Sequence, residues 1–268
     1  MSWGVCDLTV RYGRRTALDR VSLDVQPGTL TAVVGADGAG KTTLLRALVG
    51  VLRPDMGTVT HPPAPQIGYF SAAAAVYPDL TVEEDLDFAA TAYRAHDRKR
   101  RADLLGAAGL SDVTHQLGAQ LSGGMRHKLG LLIAMLHRPA LLVLDEPSTG
   151  IDPVSRTELS TLIMRAAASG AAVVASTVYL DEAERANHVV VLDSGRVLCA
   201  GTPDSITSSI RGQVVQRAIR PDSALAWRRG NGWHQWIAPA DRLPEHVQLL
   251  ERLDLEDAVI VATLQGRP

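Results

Sequence analysis

Cysteine is almost absent: Cys6 and Cys199 are the only two, far apart and without clustered histidines beside them. That argues against a disulfide framework or a zinc site and fits a reducing cytoplasm, with both thiols read as small core residues. An excess of either charge is also lacking, since 27 Lys and Arg against 29 Asp and Glu leave a formal net charge of -2. No general basic surface is left to hold nucleic acid, and no nucleic-acid motif makes up for it. Nor is there an apolar run of the roughly 20 residues that a bilayer span requires. The stretch from Leu129 to Leu136 is broken by His137, Arg138 and Pro139 before Leu141 to Leu144 resumes. The chain's beginning shows neither the basic head nor the long apolar stretch of a signal peptide. Any membrane role is therefore expected to come through a partner.

What is present describes an ordinary globular protein: 268 residues, 46% apolar and 21% charged, enough for one large domain with or without an appendage. Val5 to Val10 and Val21 to Val25 alternate apolar and polar side chains around Tyr12-Gly13-Arg14-Arg15, which predicts antiparallel strands. Leu30 to Val34 reads as a buried strand, and Lys41 to Val51 has helical spacing and stops before Pro54. Val82, Leu86, Ala90 and Tyr93 recur at helical intervals, and the basic run Arg98 to Arg101 reads as a solvated helix face. Further on come a helix from Leu121-Ser122 to His137, a strand from Leu141 to Leu144, a helix from Val154 to Ala168 and a strand from Ala171 to Ser176. Strands alternating with helices predict a parallel α/β core. Val189 to Leu192 and Val197 to Ala200, joined through Asp193-Ser194-Gly195, predict a hairpin, and Pro244 to Leu253 a last helix. Trp227, Trp233 and Trp236 in that final region read as packing residues.

Three short elements carry chemistry. Gly35-Ala36-Asp37-Gly38-Ala39-Gly40-Lys41-Thr42 meets the P-loop pattern, lies after a predicted strand and is followed by Thr43 and a helix. Its glycines let backbone N–H groups and the helix N-terminus surround phosphate oxygens. Lys41 is then placed for the β- and γ-phosphates, Thr42 for Mg²⁺ and Thr43 for the α-phosphate of ATP. In the second element, Leu141-Leu142-Val143-Leu144-Asp145-Glu146, two acids end a buried strand. Asp145 can hold Mg²⁺ through water, and Glu146 can polarise the attacking water. In the third, Leu121-Ser122-Gly123-Gly124-Met125, Ser122 is an N-cap candidate, and Gly123 and Gly124 leave N–H groups open to an anion.

In the content and order of these motifs, residues 4 to 210 resemble the ATP-binding cassette (ABC) family. The resemblance implies an α/β fold, a P-loop NTPase (RecA-like) core carrying an antiparallel β subdomain and an α-helical signature subdomain. Residues 1–212 would be the cassette, with the helical part at about 82–138, and residues 213–268 a small appendage or linker. It also implies that Tyr12 stacks on adenine, and that the Ser122-Gly123-Gly124 element of one cassette meets the γ-phosphate held by the P-loop of another. The Gly150-Ile151-Asp152 loop would contact that opposite cassette. The implied partners are a second cassette and a membrane permease, with the chain on the inner face of the cell membrane and the cofactors ATP and Mg²⁺. The nearest sub-pattern is the first half of bacterial tandem-cassette drug exporter ATPases, to which Ser176-Thr177-Val178-Tyr179-Leu180-Asp181-Glu182-Ala183-Glu184 and Leu255-Glu256-Asp257-Ala258 also correspond. On that pattern the second cassette is either the missing half of a longer chain or a separate subunit.

The family pattern fails at two positions. Its usual glutamine after the strand ending Ile67-Gly68-Tyr69-Phe70 is here Ala72, and its usual histidine after Ser176-Thr177 is Val178. Gln66 and His188 stand in the wrong places to substitute, and neither alanine nor valine can donate a side-chain hydrogen bond. Met125 in place of the commoner glutamine is milder, because the backbone donors survive. The expectation is a site that binds MgATP but hydrolyses it slowly. Two other functions remain open to the sequence: a soluble ABC ATPase acting on ribosomes or DNA, and a regulatory nucleotide-binding module without turnover.

Overall fold

A computed structural model describes residues 2–71, 76–244 and 247–265. The chain opens with a long hairpin, β1 (Trp3–Tyr12) and β2 (Arg15–Val25), and passes through β3 (Leu30–Val34) and α1 (Lys41–Leu48) to β4 (Met56–Thr60). Strand β4 returns to the hairpin, giving an antiparallel sheet of order β2-β1-β4. After β5 (Ile67–Ser71) come α2 (Val82–Tyr93), α3 (Arg98–Ala108) and α4 (Gly123–Met135). Their starts are set by capping: Thr81 and Glu84 form a reciprocal capping box on α2, and the Asp97 and Ser122 side chains accept from Arg100 N and Met125 N.

The core sheet is completed by β6 (Leu141–Asp145), β7 (Ala172–Thr177), β8 (His188–Asp193) and β9 (Arg196–Gly201), with α5 (Pro153–Ala168) and the short α6 (Leu180–Ala183) between them. Its order is β5-β6-β7-β3-β8-β9, parallel except for the last hairpin. That hairpin turns at Ser194 (φ 49°) and Gly195 (φ 80°), the left-handed pair that a two-residue connection prefers.

Each strand is apolar on both sides because both faces of the sheet are covered. Val33, Leu141, Val143, Val174, Val190 and Leu192 pack toward α1 and the antiparallel sheet. Val34, Leu142, Leu144, Val173, Val189 and Val191 pack toward the remaining helices. Leu45 is wholly buried between α1 and the first of these layers. Emptying such a position costs about 2–5 kcal/mol, so the start of α1 is held firmly against the sheet.

After α7 (Pro203–Ser209) the chain forms β10 (Gln213–Arg217), β11 (Ala226–Arg229), β12 (Gly232–Ile237) and β13 (Gln248–Leu249), an antiparallel sheet of order β11-β12-β10-β13, and then α8 (Leu255–Gln265). Among the described residues from 244 to 253 the expected helix is not found. Gln248 pairs with Gln216 and Leu249 with Val215, and the helix begins instead after Asp254, whose Oδ1 accepts from Asp257 N at 2.8 Å. The cap therefore lies immediately after the apolar pattern that suggested the helix. Leu255 and Ala258 of α8 are buried in the same core as Ala183 and Ile206. The three tryptophans here are half-buried; Trp227 Nε1 donates to Asp257 Oδ1 at 3.0 Å and Trp236 Nε1 to Arg211 O at 2.9 Å.

Two smaller expectations also change. Cys6 is exposed and Cys199 half-buried, so only the latter is near a core. Arg100 and Arg101 turn inward from the basic run, donating to Met135 O at 3.4 Å and Glu83 O at 2.9 Å.

Candidate functional site

The carboxyl ends of β3, β6 and β7 lie side by side, where open α/β sheets present their ligand crevices. Between β3 and α1 the loop 35–40 folds back on itself through glycines. Gly38 (φ 79°) and Gly40 (φ 110°) adopt left-handed backbone, and Gly40 is the N-cap of α1. At Gly35 a Cβ would lie 2.5 Å from Leu192 O and 2.9 Å from the Ala39 Cβ, so the loop closes only with glycine there. Ala39 is buried beneath the loop and joins the α1 side of the core.

Lys41, only 4% exposed, bends back so that Nζ donates to Gly35 O at 2.8 Å and Ala36 O at 3.3 Å and stands 3.2 Å from Glu146 Oε1. Thr42 Oγ1 donates to Asp145 Oδ1 at 3.1 Å. The predicted P-loop cation and hydroxyl thus each meet one of the two strand-end acids. Glu146 has left-handed backbone at φ 49°, a conformation costing a non-glycine residue on the order of 1–3 kcal/mol unless its surroundings enforce it. Ser176, fully buried on β7, supplies that enforcement: its Oγ accepts from Glu146 N at 2.9 Å and donates to Asp145 Oδ1 at 2.9 Å. Thr149 Oγ1 adds a donor to Glu146 Oε2 at 3.3 Å.

Tyr12, Asp37, Gly38, Gly40, Lys41, Thr42, Thr43 and Glu146 line one cleft of about 420 Å³ together with Arg15 and Ala17. Tyr12 presents about half its surface there, 49% exposed. Ser122, Gly123 and Gly124 do not line this cleft. Ser122 caps α4 by accepting from Met125 N at 3.2 Å, and Gly124 is packed where a Cβ would fall 2.3 Å from Ser155 Oγ of α5. A Cβ on Gly123 would meet nothing within 4 Å, so there is open space beside that residue, whereas Met125 N is already taken by the Ser122 side chain.

Val178 follows β7 immediately and is 39% exposed. Ala72 lies outside the described residues. His188 pairs with Thr31 at the entrance of β8, away from the carboxyl ends of the parallel strands, and Gln66 precedes β5. Around Val178 a carboxylate collects three elements. Glu182 Oε2 accepts from Thr177 Oγ1 at 2.6 Å and Ser148 Oγ at 2.9 Å, and Oε1 lies 3.4 Å from Arg156 Nε of α5. Arg156 also covers the Tyr179 ring at 4.4 Å. Asp152 caps α5, and bonds from the Ser155 backbone and side chain hold its carboxyl below the ordinary range.

Ser176, Glu182 and Arg15 are the residues that sequence reasoning missed. The only trace of Ser176 was a pair of hydroxyl residues ending an apolar strand, and Arg15 stood in the turn segment beside Tyr12.

For Mg²⁺ the available protein donors are the Thr42 hydroxyl and the Asp145 carboxylate, hard oxygens already 3.1 Å apart. Mg²⁺ is commonly held by one or two protein oxygens together with substrate phosphates and water, so this pair fits it. Among the described residues no group of three or more His, Cys, Asp or Glu side chains is placed to hold a metal by itself, and no helix is long and apolar enough to cross a membrane.

A family described as ABC transporter matches residues 18–149. YbhF of Escherichia coli (strain K12), a probable multidrug ABC transporter ATP-binding protein, is 37% identical over 212 residues, covering 74% of this chain and 37% of YbhF. The chain therefore spans well under half of that relative. DrrA3 of Streptomyces coeruleorubidus, a daunorubicin resistance ATP-binding protein, is 34% identical over 229 residues, covering 80% of this chain and 72% of DrrA3. Among solved structures, the ATP binding subunit of an ABC transporter superposes with a TM-score of 0.70 at 30% identity, covering 78% of this chain and 92% of that one.

Proposed function

The chain belongs to the ABC transporter ATP-binding family, and from that premise we propose that it binds and hydrolyses MgATP to power a separate membrane permease. We propose further that it exports, as one half of a head-to-tail pair of cassettes, with its own P-loop site slow in hydrolysis. The observation that carries this reading is the meeting of Lys41 with Glu146, and of Thr42 with the buried Asp145, where Lys41, Thr42 and Glu146 line one cleft.

In this reading Tyr12 holds the adenine, and the loop 35–40 with the head of α1 surrounds the phosphates with N–H groups. Lys41 exchanges its present acceptors for the terminal phosphates. Thr42 and Asp145 hold Mg²⁺, which when bound neutralises phosphate charge. Glu146 orients the attacking water and draws on its proton, held toward the cleft by the Ser176 bond. The head of α4, with Ser122, Gly123 and Gly124, serves the γ-phosphate of the other cassette. Its separation from this chain's own cleft supports that assignment. Export is favoured by the names of YbhF and DrrA3, both drug-transport or resistance proteins. Such a motor works at the cytoplasmic face of the membrane, and residues 213–268 form a small C-terminal unit docked on the cassette through α8.

The slow step follows from Val178 and Ala72, which offer no donor where the family commonly has histidine and glutamine. Losing one preorganised donor to transition-state charge typically costs about a hundredfold to a thousandfold in rate. ATP binding rests on groups that are all present, so affinity and turnover separate.

The test has two arms. Calorimetry should show MgATP binding to the chain and its near loss in Lys41→Ala; undiminished affinity would contradict the pocket. Ser122→Arg should leave that binding intact and depress turnover of the assembled pair; unchanged pair turnover would contradict the cross-site role.

A further inference from the structure

One charged side chain of the nucleotide cleft has no part in the chemistry assigned so far. Arg15 begins β2 directly opposite Tyr12, its Cα partner across the hairpin, and is exposed. Its guanidinium reaches from there over the P-loop. A Cβ on Gly38 would lie 3.6 Å from Arg15 Nη2 and meet no other atom within 4 Å. Arg15 lines the nucleotide cleft and also the adjoining hollow of about 380 Å³ bounded by Ala36, Asp37 and the turn Asp193-Ser194-Gly195.

Two neighbouring cations are already paired. Lys41 is paired with Glu146, and Arg196, near the adjoining turn, is paired with Asp19 at 2.7 Å. Arg15 joins neither pair and makes no hydrogen bond or ion pair among the described residues, although Asp37 lines the same cleft. A guanidinium is always charged and presents a planar fork of donors suited to phosphate oxygens. In this position it lies between the ring expected to carry the base and the loop expected to carry the phosphates. It needs no partner to be displaced before it binds.

We propose that Arg15 is a nucleotide-binding residue that clasps the phosphate chain from the Tyr12 side, opposite Lys41. The assignment rests on the P-loop reading above and adds to it a second cation, one the P-loop pattern does not include. Asp37 and Asp193 are acidic side chains that line the adjoining hollow, and an incoming polyphosphate competes with them through its greater charge.

Titration calorimetry of the full chain with ATP, GTP and ADP, each with Mg²⁺, tests this in the wild type, Arg15→Ala, Arg15→Lys and Lys41→Ala. Arg15→Ala should weaken ATP, GTP and ADP alike by about tenfold, the order expected for one charge-assisted hydrogen bond at an exposed site. Arg15→Lys should recover part of the loss, and the salt dependence of binding should become shallower in Arg15→Ala. The ratio of ATP to GTP affinity should not move. Unchanged affinities in Arg15→Ala, with Lys41→Ala still abolishing binding, would overturn the arginine assignment alone. A changed ATP to GTP ratio would overturn it too, because Arg15 would then be reading the base. Wild-type protein that bound none of the three would overturn both this assignment and the function on which it rests.

Discussion

Lys41 Nζ lies 3.2 Å from Glu146 Oε1, so the cation expected to meet the terminal phosphates and the carboxylate expected to orient water neutralise one another across the mouth of the cleft. ATP must part them to bind. Glu146→Gln removes the competing charge while leaving the P-loop whole. It should therefore bind MgATP at least as tightly as the wild type and lose about 10²–10⁴ of its turnover, the usual contribution of a general base. Calorimetry on the chain, and phosphate release from paired cassettes whose other P-loop is disabled, measure the two effects. Retained turnover would assign the water to another group.

Ser176 bridges the two acids from a neighbouring strand. Ser176→Ala leaves Glu146 N without its partner and the buried Asp145 Oδ1 with only the Thr42 hydroxyl. A loss of stability of about 1–3 kcal/mol is expected in denaturant unfolding. The Glu146 backbone, no longer held at φ 49°, should also cost turnover. A variant as stable and as active as the wild type would show that the bridge is incidental.

How much of this was legible in the chain depends on where the partners lie. The P-loop was readable because its chemistry resides in contiguous backbone: Gly38, Gly40 and the first turn of α1 do their work within a few residues of one another. The same holds for the Ser122 cap and for the hairpin at Ser194-Gly195. The Ser176 bridge was not readable, since it joins residues 31 apart that meet only because β6 and β7 pair in the sheet. Glu182 escaped notice for a similar reason, one of its hydroxyl donors, Ser148, coming from the loop after β6, 34 residues away. The last helix was misplaced because its decisive signal was one capping side chain, Asp254, while the apolar spacing before it belonged to a strand.

His137 offers a test of the packing between the helical region and the core sheet. Its ring stacks on Tyr93 at 3.9 Å, Nε2 is 3.1 Å from Ile67 O, and burial lowers its pKa below the ordinary value. A depressed folded-state pKa means that the unfolded chain takes up the proton first as pH falls. The folded state then loses relative stability from near pH 6.5 downward until its own pKa is passed. Urea midpoints between pH 7.5 and 5 should fall less steeply in His137→Gln than in the wild type. Equal slopes would mean that this ring does not contribute to the acid sensitivity.

The most direct measurement is the turnover of the site built on this P-loop, in a pair whose other P-loop is disabled and whose partner signature is intact. Val178 stands immediately after β7, exposed and without a donor, beside the Thr177–Glu182 bond that fixes the strand's end. Hydrolysis by the wild-type site should be slow despite normal MgATP binding. Val178→His should raise it at least about tenfold, and Val178→His with Ala72→Gln should raise it further, toward the hundredfold or more that preorganised donors typically supply. A fast wild-type rate that Val178→His leaves unchanged and Glu146→Gln abolishes would contradict the slow-site reading.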